Sequence, residues 1–196
     1  GDAGQVNAYR TYFDTGGFDS ISLGNYASGV YLHMGTTITG ANHLVGVSMS
    51  MADAEELDLG GSPSSLRWFY GEFESATGSA ANDLMIGNAL DNNVFGGRGN
   101  DTLAGGGGND SVDGGEGVDV AVFAGTLAEY GVSRAGVGAV LCTVRDMVGD
   151  EGIDRVTEVE SLQFSDMTVN LAIQAIAQAA PEADVQRLEE LYVAFF

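Results

Sequence analysis

The chain has 196 residues, with 28 acidic against 7 basic side chains and a formal net charge of −21. Every cation is an arginine, and so acidic a chain argues against a nucleic-acid partner, which needs clustered positive charge. Glycine fills 30 positions, proline 2 and cysteine 1, which rules out collagen, a Pro-rich linker and an intramolecular disulfide framework. No apolar run approaches the ~18 residues of a membrane-spanning helix, and hydrophobic residues at 44% suffice for a core. The chain opens on Gly1 without a basic and apolar leader and stops at Phe195-Phe196 inside an amphipathic pattern, so it reads as a piece of a longer protein.

From the start the pattern is β. Tyr9 to Phe13 reads as a strand, Gly16-Gly17 as a turn, and Ile21, Leu23 and Val30 to Met34 as further strands; Val45, Val47, Met49 and Met51 then alternate. Leu66, Trp68 and Tyr70 alternate as one strand face does. This predicts that Trp68, Phe69, Tyr70 and Phe73 pack in a core rather than form a sugar-stacking platform.

A nine-residue register runs without a gap from Gly78 to Val122: GSAANDLMI, GNALDNNVF, GGRGNDTLA, GGGGNDSVD, GGEGVDVAV. Position one is always Gly (78, 87, 96, 105, 114). Position six is Asp83, Asn92, Asp101, Asp110 and Asp119, and position eight is Met85, Val94, Leu103, Val112 and Ala121. Each period predicts a turn followed by a short strand, two periods making one coil of a parallel roll. Met85, Leu103 and Ala121 then stack along one sheet and Val94 and Val112 along the other, with the position-six carboxylates in rows on two edges. Five small inward side chains are too few to offset the entropy of ordering so many glycine-rich residues, and rows of like charge add repulsion. A hard divalent cation between coils, held by carboxylate and turn carbonyl oxygens, removes both difficulties, and calcium suits such an oxygen-rich site. The pairs expected on one edge are Asp83 with Asp101, Asn92 with Asp110, and Asp101 with Asp119, Asn92 making the weaker site.

This register resembles the RTX, or haemolysin-type calcium-binding, repeat G-G-x-G-x-D-x-U-x, where U is apolar; Gly96–Ala104 and Gly105–Asp113 match it in full. The resemblance implies that Gly96, Gly97, Gly99, Gly105, Gly106, Gly108, Gly114, Gly115 and Gly117 build the metal-binding turns together with Asp83, Asn92, Asp101, Asp110 and Asp119. The strings FDTGGFDSISLGNYASGVYLHMG and LRWFYGEFESATGSAANDLMIGN are similar to the C-terminal region of serralysin-type zinc metallopeptidases. That likeness implies a further calcium-binding turn at Gly16, Gly17 and Asp19, with Asp14 and Glu74 as neighbours. It also implies an upstream catalytic domain holding zinc, while the RTX resemblance implies the type I secretion machinery as a partner and an extracellular location for the product of a Gram-negative bacterium.

Downstream, VAVFAGTLAEYGVSRAG, AVLCTVRDM and GIDRVTEVESLQFSD resemble the strands that close an RTX roll. Val140, Cys142 and Val144 alternate, which predicts a buried, unreactive Cys142; Asp150 and Asp154 are candidates for one more ion. After Asn170, Pro181 precedes Val185, Leu188, Leu191, Tyr192 and Phe195 at helical spacing. The run VQRLEELYVAFF is similar to the opening of a helical domain found beside RTX repeats in surface proteins. The expected organisation is a β lead-in over 1–77, the β-roll over 78–122, a closing β segment over 123–170 and the start of a helical region over 171–196.

No catalytic constellation is present. The two histidines, His33 and His43, are followed by Met34 and Leu44 rather than by Glu, so H-E-x-x-H is absent. G-x-S-x-G is absent as well, and a P-loop needs the lysine this chain lacks. The sequence therefore predicts an all-β, calcium-dependent parallel roll belonging either to a secreted zinc metallopeptidase or to an RTX adhesin or surface-layer protein without a catalytic domain.

Overall fold

A computed structural model describes residues 10–13, 17–37, 44–52, 54, 65–134 and 141–171. Asp14, Gly16, His43, Val140 and the helical pattern from Pro181 onward lie outside the described residues. Within them the chain is nearly all β, built as two facing sheets with one short 3-10 turn at Leu127–Glu129.

The repeats set the pattern. Strands β7 (Leu84–Asn88), β9 (Thr102–Gly106) and β11 (Val120–Val122) run parallel in one sheet, while β8 (Asn93–Arg98) and β10 (Ser111–Glu116) run parallel in the other. Successive repeats thus alternate between sheets, because each glycine-rich turn sends the chain across to the opposite face. Glycine is required in the turn: Gly97 and Gly99 sit at φ +111° and +115°, and a Cβ built on Gly99 would lie 2.5 Å from the carbonyl carbon of Ala81, one coil back.

Position eight points inward on every strand. Met85 pairs with Leu103, Leu103 with Ala121, and Val94 with Val112, all of them buried.

The parallel ladder continues past both ends of Gly78–Val122. Upstream, β3 (Val30–Thr37) pairs with β7, setting Leu32 beside Met85; β6 (Ser75–Thr77) pairs with β8, setting Ala76 beside Val94; and β2 (Ser20–Ser22) pairs with β6, setting Ile21 beside Ala76. Downstream, β14 (Ile153–Thr157) pairs with β10 and β15 (Ser161–Gln163) with β11, setting Val156 beside Val112 and Leu162 beside Ala121. Two apolar rows therefore run through the molecule, Leu32-Met85-Leu103-Ala121-Leu162 and Ile21-Ala76-Val94-Val112-Val156, each residue at most 5% exposed. The contiguous nine-residue register stops short of these strands because upstream Asn25 and Phe69 take the place of the position-one glycine, and downstream residues 123–148 interrupt it.

Mostly antiparallel strands cover the ends. β4 (Leu44–Ser50) and β5 (Arg67–Tyr70) extend the first sheet beyond β3, and β1 (Arg10–Phe13) lies beyond its neighbour β5 and parallel to it. At the far end β12 (Tyr130–Arg134) and β13 (Cys142–Asp146) join β14, and β16 (Thr168–Asn170) joins β15. Phe123, Tyr130 and Phe164 meet there with ring centroids 5.2 to 5.5 Å apart. Cys142 is 1% exposed, and burial raises its thiol pKa, as expected of a packing residue.

Strand β5 takes the opposite phase to the one its alternation predicts. Phe69 and Phe73 are buried in edge-to-face contact at 5.6 Å, whereas Trp68 and Tyr70 are 41% and 36% exposed. The alternation of Leu66, Trp68 and Tyr70 is real, but it marks the outer face; Phe69 points inward because Gly46 opposite it in β4 is also on the inner side. In β4 likewise, Ser48 is fully buried beside Leu32 and Gly46 is buried, whereas Val47 between them is only half-buried.

Candidate metal centre

The position-six residues form the two expected edges. On the first, the backbone N–H of Val30 donates to Asp83 Oδ1 (2.7 Å), that of Asp83 to Asp101 Oδ1 (2.8 Å), and that of Asp101 to Asp119 Oδ1 (2.7 Å). On the second, the N–H of Asn92 donates to Asp110 Oδ1 at 2.8 Å. The structure thus brings together the three pairs expected 18 residues apart, each carboxylate reaching back one coil.

The second carboxylate oxygens differ along the row. In Asp83 it accepts the Ser79 N–H at 2.6 Å, while Oδ1 also accepts the Ser79 hydroxyl at 2.8 Å. In Asp101, Asp110 and Asp119 the Oδ2 atom is buried without any hydrogen-bond donor, in residues at most 2% exposed. Leaving a carboxylate oxygen in that state is costly unless a cation supplies the missing charge. Burial first, and then the neighbouring carboxylates, push Asp101 and Asp110 up to about 7 against the downward pull of their backbone donors; Asp119 is raised for the same reasons.

Position-one glycines form the floor of these sites. A Cβ on Gly96 would run into Asp101 Oδ2 and lie 2.6 Å from the carbonyl oxygen of Gly114 in the next coil. On Gly114 it would lie 2.6 Å from Asp119 Oδ2 and collide with the carbonyl oxygen of Glu158. Unpaired carboxylate oxygen and turn carbonyl therefore crowd one cradle that only glycine leaves open. Among the described residues no group of three or more His, Cys, Asp or Glu side chains converges on a point, so an ion here has to draw on carbonyl oxygens as well as carboxylates. That all-oxygen, mixed donor set suits calcium and not zinc.

Asn92 departs from the row as its chemistry requires. Its Oδ1 accepts the Asn88 N–H at 2.8 Å and its amide donates to the Phe73 carbonyl at 3.3 Å. In the lead-in, Gly17 takes φ +129° and Glu74 Oε2 accepts the Asp19 N–H at 2.8 Å, placing Asp19 and Glu74 on the Asn92–Asp110 edge. Asp150 is exposed, whereas Asp154 is buried with its carboxyl raised to about 7, chiefly by burial. His33 is half-buried, with Nδ1 accepting the Gly35 N–H at 3.0 Å and its pKa lowered by burial.

A second ladder escaped the sequence reading. At position five, Asn82 Oδ1 accepts the Asn100 N–H (2.8 Å), Asp91 Oδ1 that of Asn109 (2.7 Å), and Asn100 Oδ1 that of Val118 (3.0 Å). These exposed side chains reach forward one coil while the buried ones reach back. The signal was present as Asx at position five in four of the five repeats.

Geometry and composition thus define a parallel β-roll whose turns carry buried, cation-demanding acid rows. Residues 86–121 match the family model of the RTX calcium-binding nonapeptide repeat in four copies. The segment is an RTX repeat segment, and the chain contains a calcium-binding β-roll region. No curated protein matches the chain.

Proposed function

We propose that this roll is a calcium-triggered folding element that supports secretion and stability of a larger exported protein. The observation that carries the reading is the three buried, donorless Oδ2 atoms, those of Asp101 and Asp119 on one edge and that of Asp110 on the other. Without a cation these carboxylates oppose the burial their own strands impose. Calcium would supply the positive charge there, so that folding and binding become one equilibrium. In a low-calcium cytosol the acidic chain then stays open and compatible with one-step type I export; in millimolar calcium outside it folds.

The test is far-UV circular dichroism of the chain titrated with calcium from a chelated start, with magnesium as control. A cooperative gain of β signal with calcium alone supports the reading. A signal that is independent of calcium overturns it.

The parent protein is, on this reading, a serralysin-like zinc metallopeptidase, supported by the likeness of the lead-in strings around Gly17–Asp19 and Trp68–Asn88. Zinc would belong to its catalytic domain, since the chain has no H-E-x-x-H and among the described residues no group of three His, Cys, Asp or Glu side chains gathers at His33. An H-E-x-x-H helix upstream and chelator-sensitive casein hydrolysis by the parent are the expected findings; an upstream sequence without that motif favours an adhesin or surface-layer protein.

A further inference from the structure

Beyond the last in-register repeat the chain leaves the roll through residues 123–148 and then returns to it. The returning segment Gly149–Thr157 reads GDEGIDRVT, with Gly149, Gly152, Asp154 and Val156 at positions one, four, six and eight of the nonapeptide. It lies outside the matched residues 86–121.

The structure treats this segment as one more coil. Strand β14 runs parallel to β10 with Val156 beside Val112. The Asp110 N–H donates to Asp154 Oδ1 at 2.9 Å, repeating the Asn92–Asp110 link, and the Ile153 N–H donates to Asn109 Oδ1 at 3.1 Å, repeating the position-five link. Gly152 has a positive φ of +69°, as Gly108 does at +107°, and a Cβ on it would strike the Gly108 carbonyl. Asp154 is 4% exposed.

The other edge closes in parallel. The Asp119 N–H donates to Glu160 Oε2 at 2.7 Å, and β15 sets Leu162 beside Ala121. Glu158 is the only non-glycine with positive φ among the described residues, at +46°. Its carbonyl occupies, over Gly114 and beside the unpaired Asp119 Oδ2, the place that the Gly114 carbonyl occupies over Gly96 beside the unpaired Asp101 Oδ2. Strain at a non-glycine residue is retained where it aims a group that the site needs.

We propose that Asp154 and Glu160 are the terminal cation ligands of the two edges, supplied by a displaced repeat and its following half-turn, so that each acid row holds one calcium beyond those the contiguous repeats can form. This rests on the calcium reading of the roll. The buried Asp110 Oδ2 and Asp119 Oδ2 are the atoms left without a partner unless these last sites exist. A consequence is that the covering hairpin β12–β13, whose strand β13 pairs with β14, is fastened by the same ions.

The experiment counts bound calcium by equilibrium dialysis for the wild-type chain, Asp154→Asn, Glu160→Gln and the exposed control Glu116→Gln. The expected result is one ion fewer in each of the first two variants and an unchanged count in the control. In parallel, the side-chain carboxyl carbons of Asp154 and Glu160 are followed by NMR in the wild-type chain. They are expected to shift over the same calcium range as those of Asp101 and Asp110, which keeps the question decidable should a variant fail to fold. An unchanged count, or carboxyl signals at Asp154 and Glu160 that ignore calcium while Asp101 responds, overturns this proposal alone. A wild-type chain that binds no calcium overturns the proposed function itself.

Discussion

The backbone N–H of Asp101 donates to Asp119 Oδ1 at 2.7 Å, while Asp119 Oδ2 and Asp101 Oδ2 are both buried without a donor. One oxygen of each carboxylate therefore builds the coil-to-coil ladder and the other is left for a cation. The same side chain serves the fold and the site, which couples them.

Asp101→Ala is expected to raise the calcium concentration needed for half-folding at least about tenfold, equivalent to ~1.4 kcal/mol. It removes the Oδ1 acceptor of the Asp83 N–H together with the buried Oδ2 left for a cation, while the backbone N–H that donates to Asp119 stays in place. Asp83→Ala should cost less, because Ser79 already satisfies that carboxylate. Calcium titrations followed by circular dichroism compare the two; equal midpoints would show that the coil-to-coil pairing does not carry the ions.

The pH dependence should reverse with calcium. In the metal-free fold Asp101, Asp110 and Asp154 are raised to about 7, above the ~3.9 of an unfolded aspartate. The folded state then holds more protons than the unfolded one between those values, so stability without calcium is greatest below pH ~4 and falls as pH rises through about 7. Calcium binds the ionised form, so apparent affinity should drop from pH 8 to pH 6 and binding should release protons. Calorimetry in buffers of different ionisation enthalpy reads that release; a buffer-independent heat at pH 6 would contradict it.

Gly99→Ala is expected to destabilise the calcium-bound roll by about 1–3 kcal/mol, because an alanine there must hold φ near +115° against the Ala81 backbone. Gly131→Ala on β12 meets nothing closer than Met147 Sδ at 3.9 Å and should be close to neutral. Thermal melts at saturating calcium separate the two.

Asn100→Ala removes the exposed acceptor of the Val118 N–H and should cost on the order of 0.5–1 kcal/mol. The number of bound ions should stay the same. A lost ion would mean that position five coordinates metal.

Phe69→Ala should destabilise by about 3–5 kcal/mol as a buried aromatic truncation, and Trp68→Ala by far less, since Trp68 is 41% exposed. Urea unfolding in calcium measures both; the reverse order would restore the inward phase that the alternation of Leu66, Trp68 and Tyr70 implies.

Periodicity alone made the roll legible. A strict nine-residue spacing leaves Gly, Asp and an apolar residue one geometry in which all three recur, and so the alternation of Met85 and Val94 between sheets and the pairing of Asp101 with Asp119 could be read before any coordinates. What the spacing could not carry was decided in three dimensions. The phase of β5 depends on which face its antiparallel neighbour β4 buries, and alternation is identical for either phase. The return of Gly149–Gln163 to the roll is invisible to a contiguous register, because residues 123–148 interrupt it and only strand pairing with β10 and β11 restores it. A local donor drew the last distinction: Asp83 and Asp101 occupy the same position of the repeat and are both buried, but Ser79 donates to both oxygens of Asp83, whereas among the described residues Asp101 Oδ2 has no donor.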